Sequence, residues 1–396
     1  MRPSDGCPGG ARPGRSARAI PLCSVLVLLL WLVAGCGYGS RAPAAAAVPA
    51  AGSGAPLSAP SVRIGYFANV THATALVGVQ RGFLARELGG TRLRTQVFDG
   101  GPAALEALNA GALDMAWMGP SPAVNGYLRS GGRSLRVVSG AASGGAALVV
   151  APGAAVHGTD VRGLRLATPE TGNTQDIALL HWLRQRGYHV DPRTGGGDVT
   201  AVRQSTREIP TSFRQGAIDG AWVPEPVASQ LVAAGGHVLV DERSLWPDGS
   251  FVTALVVVSR TFLADHPDVV EAVLRGSVRT NAWIHAHPDA ARASVGRALS
   301  ALGRPLAPGV LAAAWRHVRV LDDPLASTLA EEAGRAADLG LLGTASGASV
   351  RAGDTPLKGI LDLGPLDRVL AGRGRPAVSD AGLGATTDSS TNHHTQ

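Results

Sequence analysis

The sequence contains one stretch twice: GALDMAW at residues 111–117 returns as GAIDGAW at residues 216–222. Five of the seven positions are identical, and the copies are 105 residues apart. Each copy follows a helical pattern, at 103–109 and 211–215, and precedes a proline-containing turn and a further helix. Any α/β protein can contain such a turn and strand. The other interpretation is that the copies belong to two similar lobes, each with a tryptophan near a strand's C-terminal end. Ligands of open α/β sheets bind outside those ends, so this interpretation predicts a ligand cleft between the lobes.

Short β-type runs alternate with helical patterns from residue 61 onward. Strands are predicted at 62–67, 93–98 and 113–118, and helices at 73–88 and 102–109. Such alternation is typical of a mostly parallel sheet that helices cover. The sequence therefore predicts an α/β fold.

A second repeated stretch marks where the chain passes between the lobes. ALVV occurs at 147–150 and again at 254–257, on either side of the second copy of the repeat. Both fit ordinary buried strands, and they also fit an outward and a return crossover that form a hinge for domain closure. The predicted organisation is a first lobe at 61–148 and 255–376, a second lobe at 149–254, and a disordered tail at 377–396.

The first 60 residues differ in composition from the rest. Residues 1–35 begin with arginines and continue into a short apolar run, which is typical of a secretory signal. The run ends VAGC and resembles the bacterial lipobox, so Cys36 is expected to carry a lipid; a plain signal peptide is the alternative. Residues 36–60, rich in Ala, Pro, Gly and Ser, are predicted to be a flexible tether. The protein is therefore expected in the cell envelope, extracytoplasmic and lipid-anchored to the membrane.

Charge and motif content exclude several classes of protein. The net charge falls from +6 to +3 when residues 1–35 are removed, which argues against nucleic-acid binding. Three cysteines are too few for a disulfide scaffold or a four-cysteine zinc site. Ser121 lacks the Gly-x-Ser-x-Gly elbow, and no base partner lies beside His72 in the sequence. We expect no catalytic residue, no cofactor and no metal.

Four loops are predicted at strand ends that face the cleft, at 69–72, 119–122, 168–176 and 222–226. The first three precede helices, whose N-termini present unpaired N–H groups and suit an anion without Lys or Arg. Ser, Thr and Asn also cap ordinary helices, so no single loop decides the function. The candidate ligand-binding residues in these loops are Asn69, Thr71, His72, Gly119, Pro120, Ser121, Gly172, Asn173, Thr174, Gln175, Trp222 and Glu225.

Motifs that include these loops resemble those of the solute-binding proteins for aliphatic sulfonates, nitrate and taurine. The motifs lie, in the family's order, at 65–73, 118–123, 140–145, 172–176 and 222–226. The resemblance covers about residues 61–376 and adds Ser143 to the candidate ligand-binding residues. It implies a two-lobed periplasmic-binding-protein fold of type II with two crossover hinge strands. It also implies a monomer that captures a small organic anion and delivers it to an ABC permease and its ATPase.

The identity of the ligand stays open. An aliphatic sulfonate or taurine is the first hypothesis; nitrate or bicarbonate, a small-molecule enzyme, and a surface sensor on the same fold are alternatives. Lys358, the single lysine, lies outside the four loops, which favours recognition by N–H and hydroxyl groups. Asp99 and Glu225 complicate an anion site: they point away, or Glu225 pairs with an amine such as that of taurine. Trp117 and Trp222 are expected near the organic part of the ligand.

Overall fold

The structure is a computed structural model that describes residues 56–154, 160–348 and 356–384. The chain divides into two units, Met1–Pro49 and Ala50–Gln396, and all the described residues belong to the second. The predicted signal segment, Cys36 and most of the tether lie outside the described residues. In the part of the chain that the structure describes, no helix is both long and apolar enough to cross a membrane.

The first sheet holds six strands of the described chain. They are β1 (Ser61–Phe67), β2 (Arg92–Phe98), β3 (Met115–Met118), β4 (Leu135–Gly144), β10 (Val252–Ser259) and β11 (Val318–Val320). Their order across the sheet is β11-β4-β10-β3-β1-β2. β1 is parallel to β2 and β3, whereas β10 is antiparallel to β3 and β4. We call this sheet and its helices the first lobe.

The second sheet holds five strands in the order β7-β6-β8-β5-β9. They are β5 (Ala146–Val150), β6 (Arg165–Thr168), β7 (Thr200–Arg203), β8 (Gly220–Pro224) and β9 (His237–Asp241). β6 is parallel to β7 and β8, whereas β5 is antiparallel to β8 and β9. This sheet and its helices form the second lobe.

Both sheets follow one plan. In the first sheet β1 lies between β2 and β3, and the antiparallel strand β10 lies between β3 and β4. In the second sheet β6 lies between β7 and β8, and the antiparallel strand β5 lies between β8 and β9. Apart from the inserted strand, β1, β2, β3 and β4 thus correspond to β6, β7, β8 and β9. The chain enters the second sheet through Gly144 and Gly145, both at positive φ. A Cβ on Gly145 would lie 2.4 Å from Val318, so glycine is needed at this crossover. The predicted α/β class is confirmed. The lobe boundaries at 148/149 and 254/255 stay predictions.

Helices cover the sheets. They are α1 (Ala73–Gln80), α2 (Phe83–Leu88), α3 (Gly101–Asn109), α4 (Pro120–Arg129), α5 (Thr174–Gln185), α6 (Ile209–Arg214), α7 (Val227–Ala233), α8 (Arg260–Asp265), α9 (Pro267–Ala286), α10 (Pro288–Ala301), α11 (Pro308–His317), α12 (Ala326–Asp338) and α13 (Gly364–Ala371). Many begin with proline in the first turn, where its missing N–H costs no helical hydrogen bond. The single helix predicted at 73–88 is wrong, because Gly82 takes a left-handed conformation (φ 71°) and separates α1 from α2.

The repeated stretch has a structural role that is the same in both lobes. The Asp114 carboxylate accepts hydrogen bonds from the backbone N–H (2.7 Å) and Nε (3.0 Å) of Arg63, which lies in β1. Asp219 accepts the same two bonds from Arg165 in β6, at 2.8 and 3.0 Å. Each arginine also donates to the carbonyl of the first glycine of the repeat. This Arg–Asp clasp joins the first and third strands of each lobe at their N-terminal ends.

Part of the predicted tail lies against the first lobe. The N–H groups of Gly359 and Leu361 donate to the carbonyl of Leu383, at 2.9 and 3.3 Å. Leu361 also forms a parallel bridge with Gly384. Residues 377–384 thus lie beside the chain that leads into α13, and residues 385–396 lie outside the described residues.

Candidate functional site

A small cavity of about 50 Å³ lies between the lobes, at the C-terminal ends of strands from both sheets. We call it the cleft cavity. Since one water needs roughly 10–15 Å³, the cleft cavity suits a few waters or one small anionic group. The first lobe lines it with Phe67, Asn69, Thr71, His72, Asp99, Gly100, Gly101, Gly119, Pro122 and Thr253, and the second with Pro169, Asn173, Thr174, Gln175, Thr206 and Pro224. None of these described lining residues is Lys or Arg.

Several helices begin at the wall of the cleft cavity. α4 follows Gly119, α3 follows Gly100, and a 3-10 turn at Val70–His72 leads into α1. In the second lobe α5 follows Asn173, whose side chain caps it by accepting a hydrogen bond from the N–H of Asp176 at 3.0 Å. The first N–H groups of a helix have no partner within it, so these ends surround the cavity with donors and positive partial charge.

The hydroxyl of Thr174 is an unused donor in this cavity. Thr174 is 4% exposed, and its Oγ1 has no hydrogen-bond partner among the described residues. A Cβ on Gly119 would lie 2.7 Å from this oxygen, so glycine allows α4 of the first lobe to approach α5 of the second. An unpaired buried hydroxyl is costly. A ligand oxygen in the cleft cavity would supply the missing partner.

His72 offers a neutral N–H donor. The residue is 2% exposed and stacks on Phe67, with ring centroids 4.4 Å apart. The backbone N–H of Phe67 donates to its Nδ1 at 3.1 Å. Burial lowers the pKa of His72 from 6.5 to about 3, so the ring is uncharged at neutral pH. Because Nδ1 accepts a hydrogen bond, the single ring proton is on Nε2, which is left to donate.

Among the described residues that line the cleft cavity, Asp99 is the one with a charged side chain, and it forms ion pairs with two arginines. Arg207 of the second lobe donates to Asp99 Oδ1 at 3.0 Å, and Arg304 of the first lobe pairs with the same oxygen. Glu170 lies close by, since a Cβ on Gly100 would meet its carboxylate at 2.5 Å. Burial, and secondly Asp99, raise the pKa of Glu170. The arginines thus offset the negative charge at this end of the cavity.

Seven of the thirteen candidate ligand-binding residues line the cleft cavity: Asn69, Thr71, His72, Gly119, Asn173, Thr174 and Gln175. Pro120, Ser121, Ser143, Gly172, Trp222 and Glu225 are outside its lining. The Ser121 hydroxyl donates to Glu332 at 2.8 Å, and Ser143 Oγ accepts from the N–H of Phe251 at 3.2 Å. The Gly172 N–H donates to Asp176 at 2.9 Å. These groups serve contacts within the protein.

Glu225 and the two tryptophans also face away from the cleft cavity. The Glu225 carboxylate accepts hydrogen bonds from the N–H and hydroxyl of Ser229, both at 3.0 Å, and lies 2.6 Å from His317 Nδ1. Trp117 and Trp222 are 0% exposed, in the core. Trp222 Nε1 donates to Glu242 at 2.7 Å. Glu225 therefore pairs within the protein in this conformation.

The sequence missed the residues that follow the second strand of each lobe. Gly100 and Gly101 follow β2, and Thr206 follows β7; all three line the cleft cavity, as does Thr253 of β10. A turn directly after a strand, the pattern that identified the other loops, could have identified these residues as well. A Cβ on Gly101 would lie 2.2 Å from Pro122, so this glycine brings α3 against the start of α4.

Two buried carboxyl groups lie where α12 packs between α4 of the first lobe and α5 of the second. Glu332 accepts from Ser121 of the first lobe, and Glu242 accepts from Trp222 of the second. Burial raises the pKa of Glu242 to about 7 and raises that of Glu332 well above its usual range, with repulsion from Glu242 as a second cause. Each acid is thus hydrogen-bonded to a different lobe at this packing site.

A match to the NMT1-like family extends over residues 55–300, and the chain belongs to this family. It is 26% identical over 217 residues to a protein of Brucella abortus (strain 2308) that bears the name binding protein BAB2_1146, covering 54% of this chain and 63% of that one. It is 27% identical over 208 residues to the taurine-binding periplasmic protein of Escherichia coli (strain K12), covering 52% and 61%. The chain thus spans less than two thirds of the length of these relatives.

The solved structure of the alkanesulfonate-binding protein SsuA from Xanthomonas axonopodis pv. citri, bound to MOPS, has the same fold. The TM-score is 0.60 at 20% identity, and the match covers 75% of this chain and 97% of that one. The resemblance found in the motifs is confirmed by these comparisons, and so is the two-lobed periplasmic-binding-protein fold.

Proposed function

We propose that this protein is an extracytoplasmic solute-binding protein that captures a small organic oxyanion, an aliphatic sulfonate or taurine, and delivers it to an ABC permease with its ATPase. The names of the taurine-binding and alkanesulfonate-binding relatives support this proposal. The predicted lipid on Cys36 would keep such a protein, as a monomer, at the outer side of the membrane.

The cleft cavity is the observation that carries the proposal. It combines helix N-termini, the free hydroxyl of Thr174 and the neutral ring of His72, and it contains no Lys or Arg among its described lining residues. A sulfonate has three oxygens that accept hydrogen bonds and no proton to donate at neutral pH. Donors fixed by helices and burial match such a group, because they are oriented before the ligand arrives.

Capture requires that the lobes close on the ligand. The cleft cavity takes residues from both lobes, and contacts cross between them, among them Gly119 with Thr174, Asp99 with Arg207, and the Val70 N–H with the Glu225 carbonyl at 3.3 Å. A ligand that bridges the lobes stabilises this closed arrangement only by its better affinity for it. The crossover at Gly144 and Gly145 is the proposed hinge.

We propose binding without chemistry. The relatives are named as binding proteins, which supports this proposal. Recovery of the bound compound unchanged after prolonged incubation would agree with this; a new product would favour an enzyme.

Calorimetric titration of the full chain with ethanesulfonate, propanesulfonate, taurine, nitrate and bicarbonate tests the proposal. We expect one sulfonate per chain, and about tenfold weaker binding in Thr174→Val, because a hydrogen bond to a charged ligand is lost. Thr200→Val, the same change on an exposed residue of β7, is the control and should bind normally. Tighter binding of nitrate than of any sulfonate would assign the alternative ligand class, and no binding of any anion would refute the proposal.

Taurine adds an ammonium group, which needs a partner. The Glu225 carboxylate already contacts Ser229 and His317 and so does not bind the ammonium group. Glu225→Gln should therefore leave the affinity for taurine unchanged. Asp99 is the acid beside the cavity, and it already contacts two arginines. We therefore expect taurine to bind no better than ethanesulfonate.

A further inference from the structure

A second cavity, of about 390 Å³, adjoins the cleft cavity between the same two lobes. The two cavities share Asn69, Thr206 and Pro224 as lining residues, so they are neighbours on the same face of the two lobes. Arg207, Arg214 and Arg304 all line this larger space. We call it the arginine vestibule.

The arginine vestibule carries more positive charge than its acids neutralise. Arg207 and Arg304 both contact one oxygen of Asp99, and Glu170 beside Asp99 has a pKa raised by burial. Arg214 donates to the hydroxyl of Thr211 at 3.0 Å and forms no ion pair within residues 56–154, 160–348 and 356–384. Arg304 Nε is buried without a hydrogen-bond partner in the described chain. Burial, and secondly the neighbouring Arg207, lower the pKa of Arg304, while Asp99 opposes the change.

Apolar side chains complete the walls. Leu299 and Leu306 of the first lobe and Val227 of the second line the arginine vestibule. They suit a short hydrocarbon chain that leaves the cleft cavity, because apolar surface is favourably removed from water. The two cavities together thus offer fixed neutral donors, apolar side chains and guanidinium groups.

We propose that the natural ligand is a sulfonate with a second anionic group at the far end of a short carbon chain, and that the arginine vestibule binds this second group. The inference rests on the proposed function, because the sulfonate end occupies the cleft cavity. Guanidinium groups bind carboxylate and sulfonate oxygens through paired N–H donors, so either group fits at the far end.

The arginines have a competing structural explanation, in which they only hold Asp99 and so latch the lobes together. Arg207 and Arg304 fit that role, since they reach Asp99 from opposite lobes. Arg214 does not fit that role, because its guanidinium donates to the hydroxyl of Thr211 in its own helix. Arg214 therefore separates the two explanations, and Arg304 serves as the comparison.

Calorimetry with the full chain and a matched ligand pair tests the proposal. 3-Sulfopropanoate and propane-1-sulfonate have the same number of carbons and differ by a carboxylate in place of a methyl group. We expect 3-sulfopropanoate to bind at least about tenfold more tightly, with a steeper loss of affinity in salt. Arg214→Gln should remove most of this advantage and leave the affinity for propane-1-sulfonate unchanged. Arg94→Gln, the same loss of charge on an exposed residue of β2, is the control and should preserve the advantage.

Each outcome has one meaning. Equal or weaker binding of 3-sulfopropanoate, with propane-1-sulfonate still bound, overturns the inference and leaves the proposed function intact. A parallel loss of both ligands in Arg304→Gln, with no effect of Arg214→Gln, assigns the arginines to the latch and also overturns it. Failure of both ligands to bind refutes the proposed function itself. Ethane-, propane- and butane-disulfonate then define the spacing of the two anionic groups.

Discussion

The two lobes share a framework but contribute unequally to the site. Strand order, the inserted antiparallel strand and the Arg–Asp clasp are the same in both. In the first lobe the strands β1 and β3 lead to helices of 8 and 10 residues, whereas the corresponding strands β6 and β8 of the second lead to helices of 12 and 7. The repeated sequence thus marks the framework, where both lobes need the same contact. The ligand side carries no repeat, since each lobe supplies different groups there.

The largest expected effect concerns the clasp. Asp114→Ala should lower the free energy of unfolding by about 2 to 3 kcal/mol, because the backbone N–H of Arg63 loses its partner; the Arg63 head, 41% exposed, stays partly solvated. Asp219→Ala should cost clearly less, because the Asp219 side chain is 27% exposed and that of Asp114 is 6%. Urea unfolding of both variants measures the difference. Equal losses would mean that burial does not distinguish the two clasps.

The buried carboxyl group of Glu242, beside Trp222, predicts that stability depends on pH. Because burial raises the pKa of Glu242 from 4.5 to about 7, the folded state holds a proton that the unfolded state releases over this range. Stability therefore falls as pH rises from 4.5 through 7. Glu242→Gln should flatten this fall and, at pH 8, be more stable than the wild type by about 2 kcal/mol.

Urea midpoints at pH 5, 6, 7 and 8 check this dependence. Glu106→Gln, the same change on an exposed residue of α3, is the matched control and should follow the wild-type curve. Glu332, whose pKa is also raised, supplies the slope that remains in Glu242→Gln. Parallel curves for Glu242→Gln and the wild type would show that Glu242 titrates normally.

A smaller effect tests how the first lobe approaches the second. Gly119→Ala should weaken sulfonate binding by about tenfold, because the added Cβ would lie only 2.7 Å from Thr174 Oγ1 where the two lobes meet. Gly90→Ala meets nothing within 4 Å and should bind as the wild type does. Calorimetry on both compares them. Unchanged binding in Gly119→Ala would place the ligand-bound lobes farther apart than in this structure.

The smallest expected effect is an absence of pH dependence. His72 should contribute no pH dependence to sulfonate affinity between pH 5 and 8, because burial lowers its pKa to about 3 and the ring stays neutral. A change caused by Glu170, whose pKa burial raises, should persist in His72→Gln. If His72 titrated near 6.5, its positive charge would tighten anion binding as the pH fell through that value. A rise in affinity below pH 6.5 that His72→Gln abolishes would contradict the neutral donor.

The sequence was informative about the framework and about loops after strongly patterned strands. The repeat predicted two lobes, and the loops after β1, β3 and β6 supplied Thr71, Gly119 and Thr174. The loop after β7 was missed because Thr200–Arg203 is a short strand with little apolar pattern. Ser121 sits in the right motif, but its hydroxyl bonds Glu332, 211 positions away, and no local pattern reveals such a contact.

The inserted strands also determine how the protein can be made and cut. β10 lies between β3 and β4, so the edges of β3 and β4 that face it stay unpaired until residues 252–259 have been synthesised. β5, in turn, continues from β4 with one residue between them. No continuous piece of the chain therefore contains the first sheet without the whole second one. Attempts to express the first lobe alone would yield an open sheet edge, and the first sheet is complete only after β10 and then β11 have been synthesised.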